Sequence, residues 1–182
     1  VWQKGTWLGG IWYGGEWRDG EWLDGVWRGG VWKHGTWHGD EWHDGEWRSG
    51  VWRSGTWKQG EWRCGKWVSG IWDDGRWLSG IWTDGIWRFG AWQDGIWHAG
   101  IWRGGCWHNG TWLSGVWNRG DWLKGTWKSG TWCDGNWYDG TWESGSWDGG
   151  IWHGGAWVTG QILCNGKYVE SSVSPAEFFK GN

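Results

Sequence analysis

The stretch Gly25-Val26-Trp27-Arg28-Gly29-Gly30-Val31-Trp32-Lys33-His34-Gly35 shows twice over the unit that decides the fold, x-Trp-x-x-Gly. Outward from it the unit holds its phase through residues 1–160, without insertion or deletion. Tryptophan occupies every fifth position from Trp2 to Trp157, and all 32 tryptophans of the chain lie in that column. Glycine closes the units from Gly5 to Gly160, with Asp40 as the one exception. A catalytic domain sets a few different residues at irregular positions, whereas this chain sets the same residues everywhere. Such a period builds a quasi-one-dimensional array in which each unit packs on its neighbours. The expected role is a rod or a surface rather than an enzyme.

Inside the unit each position has its own chemistry. Position 1 is β-branched Val, Ile or Thr in 19 of 32 units, which favours extended backbone. Position 3 is Arg, Lys or His in 15 units. Position 4 is mostly Asp, Ser or Gly, so that Asp-Gly, Ser-Gly and Gly-Gly make turn dipeptides. The unit reads as a three-residue strand and a tight turn. In a meander of two-residue hairpins, residues flanking a turn exchange backbone bonds, and bonding groups alternate sides along a strand. A strand between two such turns then needs an even number of residues, and three is odd. A solenoid bonds each coil to those above and below and escapes this limit. Residues two apart in an extended segment share a face. Gly5 and Trp7, like Gly10 and Trp12, are therefore expected to point inward, with positions 1 and 3 in solvent.

Read as Gly25-Val26-Trp27-Arg28-Gly29, the unit resembles the pentapeptide-repeat family over all 160 residues. The resemblance implies an all-β, right-handed β-solenoid, a quadrilateral β-helix with about four pentapeptides per coil. On that count 32 units make eight coils, a rod of about 40 Å at 4.8 Å per coil. One column of position 1 would read Ile11, Val31, Val51, Ile71. The chain departs from the family in having Trp at the centre, where Leu or Phe is expected. It also rarely has Asp or Asn in the place before it. Trp2, Trp7, Trp12, Trp17, Trp77, Trp82 and Trp157, with Gly5 and Gly10, represent the expected structural core. Tyr13-Gly14-Gly15-Glu16-Trp17-Arg18-Asp19-Gly20 looks like the core of a MORN repeat, a match confined to this one stretch.

Residues 161–182 change character and are expected to cap the array. Gln161–Cys164 and Lys167–Glu170 flank Asn165-Gly166, a two-residue hairpin signal. Ser174-Pro175-Ala176-Glu177 is a helix-capping sequence, followed by Phe178-Phe179. A hairpin and one helical turn would cover the last coil, whose open strand edges otherwise invite association.

The remaining chemistry is sparse. Net charge is −3, and the basic residues of position 3 face away from the tryptophans, which argues against nucleic acid. No apolar run approaches the roughly 20 residues of a membrane span. Val1 in place of an initiator Met suggests processing or a longer array. The four cysteines, Cys64, Cys106, Cys133 and Cys164, show no zinc or disulfide spacing. His34, His38 and His43 are the best metal candidates, but consecutive units lie on different sides of a coil. No phosphate loop, catalytic triad or carboxylate pair stands out from the repeat. No cofactor or metal is expected. The leading expectation is a stiff structural element whose partners are copies of itself or other structural subunits. Long arrays of this kind resemble those in structural proteins of tailed phages, which implies a virion or an extracellular surface. The alternative is an adhesin that binds polysaccharide on exposed tryptophan platforms.

Overall fold

A computed structural model of the chain describes residues 1–180, so the last two residues of the expected 161–182 cap lie outside the described residues. The fold is an all-β solenoid of about ten stacked coils, with one short helix at Pro175–Phe178. Each unit contributes a two-residue strand at positions 1 and 2, from Thr6–Trp7 onward. Each strand pairs in parallel with the strand fifteen residues away, Thr6 with Glu21 and Trp7 with Trp22. The strands line up in three sheets. Face one runs from Thr6–Trp7 to Ala156–Trp157, face two from Ile11–Trp12 to Ser146–Trp147 and on into the tail, and face three from Glu16–Trp17 to Ile151–Trp152.

The coil thus closes after three pentapeptides, which corrects the expected quadrilateral of four. The rod has between ten and eleven coils in place of eight, for a length of about 50 Å. Ile11 accordingly stacks on Val26, and Val26 on Glu41, in place of a column through Val31 and Val51. Indole size accounts for the change. Successive rings meet edge to face, with centroids 5.9–6.1 Å apart through the middle of the rod. Three large rings at that spacing fill the axis, whereas a fourth would open a void and forfeit dispersion contacts.

Backbone bonding follows one rule throughout. The position-1 N–H donates to the glycine carbonyl of the preceding coil, as in Thr36 to Gly20 at 2.9 Å, and the position-3 N–H to the tryptophan carbonyl, as in His38 to Trp22 at 2.7 Å. No short strand is stable alone; each is held by coils on both sides.

The closing glycines stand at the corners beside the indoles, most of them half-buried or exposed and Gly35 and Gly160 buried; a Cβ at Gly80 would lie 3.2 Å from the Trp77 ring. Two constraints select them. Gly80 has φ +130°, and a Cβ there would stand 2.5 Å from the carbonyl oxygen of Gly65 in the coil below. Corners therefore stack backbone on backbone. The unit Thr36–Asp40 solves the corner differently. Gly39 turns inward, where a Cβ would meet the Trp22 indole nitrogen at 2.5 Å, and Asp40 stands exposed with no positive φ. The ladder passes through, with Thr56 N–H donating to the Asp40 carbonyl at 2.7 Å.

At the C-terminal end, Gly160–Cys164 continues face two, and Ile162 takes the place of tryptophan over Trp147. It turns at Asn165-Gly166, both at positive φ, and returns antiparallel as Lys167–Ser171. The Ser174 hydroxyl accepts the Glu177 N–H of the short helix, and Phe178 packs against the core with Phe179 edge-on beside it.

Candidate functional site

The residues that the sequence repeats most are the ones the fold removes from solvent. Every tryptophan from Trp17 to Trp147, Trp77 and Trp82 among them, is at most 1% exposed. Trp2, Trp7 and Trp12 at one end and Trp157 at the other are partly exposed. Along each face the rings stack in parallel: Trp67 on Trp82 at 4.7 Å and 6°, Trp62 on Trp77 at 4.7 Å and 5°. Three continuous indole columns run the length of the rod, joined sideways by the edge-to-face contacts. Burying a ring of this size removes roughly 150–250 Å² from water, and offset stacking adds about 0.5–1.5 kcal/mol per pair.

The core has a polar debt. Among the described residues, face-one indole N–H groups from Trp7 to Trp112 are buried without an acceptor. The last three find one: Trp127 donates to the Ser144 carbonyl at 3.1 Å, Trp142 to Thr159 at 3.2 Å, and Trp157 to Ser171 at 3.0 Å. Nothing in the repeat alone foretells where the bonds begin: Ser129 follows Trp112 at the same offset as Ser144 follows Trp127, yet the Trp112 N–H has no acceptor.

The outward positions make a varied surface. On face three the first coils carry an ion-pair ladder: Glu46 accepts from Arg48 at 2.9 Å and from Arg63 at 2.6 Å, and Glu61 from Arg63 at 3.2 Å. Hydrogen bonds from Arg18 and Lys33 hold the Glu16 carboxyl below its usual range. Position 4 serves the corner. Asp19, Asp74 and Asp84 each accept the following glycine N–H at 2.7–2.8 Å, and that bond is the main cause lowering the Asp19 pKa. Ser144 instead donates to the Lys128 carbonyl of the coil below at 2.7 Å. Asp40 behaves oppositely: desolvation, then the shared hydrogen bond and charge of Asp24 and the charge of Glu41, raise its pKa.

The histidines diverge as the repeat requires. His34, at a corner, lies 3.4 Å from Asp19, and His43, on face two, lies 3.0 Å from Glu41, while His38 belongs to face one. Among the described residues no group of three or more His, Cys, Asp or Glu converges as a metal ion needs. All four cysteines are free, and burial raises the thiol pKa of Cys106 and Cys133, which leaves them poor nucleophiles. Shallow grooves follow the glycine corners, one lined by Asp44, Glu46, Gln59, Glu61 and Arg76. They are open troughs left by missing side chains. No described helix is long and apolar enough to cross a membrane.

No family model matches the chain, and no curated protein matches it. Among solved structures the chain is similar to one from Desulfovibrio desulfuricans G20, described as a "putative acetyltransferase", at 9% identity and a TM-score of 0.19. The alignment covers 72% of this chain and 33% of that one, too loose a likeness to inform either fold or activity.

Sequence reasoning missed two residues of the core. Ile162 lies five residues after Trp157, in phase, so the thirty-third unit was legible had the column been read past tryptophan. Ser171 is buried, its hydroxyl donating to the Val173 carbonyl at 2.6 Å and its carbonyl serving Trp157. No pattern in the sequence marks it.

Proposed function

We propose that this chain is a structural spacer, a stiff pentapeptide-repeat-like rod of a virion fibre, tail or surface appendage, whose work is mechanical. The observation that carries the reading is the core itself: three indole columns without interruption, clamped by backbone ladders on every face. Bending such a rod must open stacked rings on one side and crowd them on the other, in an interior already at close packing. The varied outer residues keep it dispersed without forming one charged or apolar face. An adhesin reading based on tryptophan platforms needs exposed indoles, and those between Trp17 and Trp147 are closed to solvent. Self-association or docking to other structural subunits through the rod's ends is the partner class that fits. The test is mechanical and thermal. Single-molecule imaging should give straight particles of about 50 Å that survive protease and heat well beyond mesophile domains, with blue-shifted, quencher-resistant tryptophan emission. Curved or variable contours, or ready digestion within residues 1–160, would overturn the reading.

A further inference from the structure

The indole columns have a consequence beyond stiffness. In face one, consecutive rings stack 4.7–5.0 Å apart and within 12° of parallel from Trp7 to Trp157, with no residue of another type between them. Tryptophan is an oxidisable side chain, and here each electron-rich ring has an identical neighbour against its face. Along most of the column the chemistry is uniform: the rings from Trp22 to Trp142 are closed to solvent, and the N–H groups from Trp7 to Trp112 lack an acceptor. A ring that loses an electron there has no nearby base to take its proton, so the positive charge stays mobile. The uniformity ends at Trp127. From there the N–H groups donate to carbonyls, and a hydrogen bond from a charged donor is about twice as strong as one from a neutral donor. A carbonyl stabilises the oxidised ring without deprotonating it. Trp157 adds partial exposure to water, which eases the cost of holding charge in an apolar interior.

We propose that the face-one column conducts oxidising equivalents along the rod toward its capped end, with Trp157 as the terminal site. A one-electron oxidant at the surface accepts one electron from an indole and leaves a radical cation. That cation is refilled by one electron from the ring fifteen residues on, and the exchange repeats until Trp157 carries the charge. No proton moves and no bond is made, and an external one-electron donor such as ascorbate returns the terminal ring to its resting state. Trp7, at the other end of face one, is also partly exposed but has no N–H acceptor, so the two ends of the column are not equivalent.

The test uses a ruthenium polypyridyl photosensitiser on Cys64, which is exposed at the corner between Trp62 and Trp67, with Cys106→Ser, Cys133→Ser and Cys164→Ser removing the other thiols. Flash-generated Ru(III) in aerated buffer should leave indole oxidation products, mapped by mass spectrometry, at Trp157 at least tenfold above Trp82 or Trp97. Replacing one whole layer, Trp112→Leu with Trp117→Leu and Trp122→Leu, should protect Trp157 by a similar factor while circular dichroism reports an intact fold. If that layer does not fold, Trp157→Phe alone serves: products should move to Trp142. Damage confined to Trp62 and Trp67 overturns the proposal. So does oxidation of Trp157 that a folded broken layer leaves unchanged, or oxidation in Trp157→Phe that appears equally at Trp2 and Trp7.

Discussion

At the scale of the residue, the glycine corner is the least replaceable position. A side chain at Gly80 would meet both a φ of +130° and a carbonyl 2.5 Å away in the coil below. Backbone strain alone costs on the order of 1–3 kcal/mol, and the clash adds to it because backbone cannot step aside. Gly80→Ala is expected to lose at least that much by denaturant unfolding, with hydrogen exchange accelerated in the adjoining coils. Asp40 makes the contrasting case. Its pKa is raised in the folded protein, so the native state binds the proton more tightly than the unfolded chain does. The stability tied to Asp40 therefore falls as pH rises from the unfolded value through the folded one. Asp40→Asn removes that ionisation and should raise Tm at neutral pH by an amount worth a few tenths of a kcal/mol for so exposed a group. The gain should vanish near about pH 3, where both forms are neutral; an equal difference at both pH values would refute the assignment. The glycine and tryptophan columns were legible in the sequence because the requirement repeats 32 times. The swap at Gly39 and Asp40 was visible as a break but not as a solution, since its geometry depends on the Trp22 ring of another coil.

At the scale of the element, a unit has no stability of its own, and what happens at the array's end matters more than what happens within a strand. Ile162 lies fully buried over Trp147, and its strand offers Lys167–Ser171 an edge to pair with. Ile162→Asp would bury an unpaired carboxylate and uncouple the hairpin from face two. The expected result is a loss of about 3 kcal/mol or more in cap stability, measured as early exchange of the Gly160–Ser171 amides. Concentration-dependent association should follow, as the last coil's edges come free. A monomer with protected hairpin amides would show that the cap holds by the helix and Phe178 alone. The hairpin and helix were readable locally, from Asn165-Gly166 and from Ser174 and Pro175. Odd strand parity also excluded the meander, and the parallel ladders agree with that argument. The number of strands per coil was not readable, because parity and alternation constrain one strand and its turn, whereas closure depends on how indoles meet across the axis.

For the whole molecule, closure at three units has a consequence that four would share but an irregular fold would not. Every bond in the ladder joins a residue to those about fifteen away, and the corners from Gly45 to Gly155 all turn on a glycine at positive φ. Removing one unit from the middle, Ile81–Gly85, should therefore let the chain re-register by rotating everything beyond it by one face. The new neighbours again present tryptophan over tryptophan and glycine over glycine. What is lost on the outside is a handful of surface pairs such as Arg88 with Asp73, each worth about 0–1 kcal/mol. The cap is untouched, since its contacts lie within the last coils. Removing three residues, Ile81–Thr83, instead puts glycine where tryptophan belongs for an entire coil and empties several hundred Å³ of core, at a cost of several kcal/mol. The five-residue deletion is expected to keep the parent's circular dichroism, cooperative melt and protease resistance, in a rod shortened by about a third of a 4.8 Å coil. The three-residue deletion should be cut by protease near residue 81. Equal damage from both deletions would mean that the outer faces, rather than the repeating core, set the register. The rod's length would then be fixed by surface pairing and not by the count of its units.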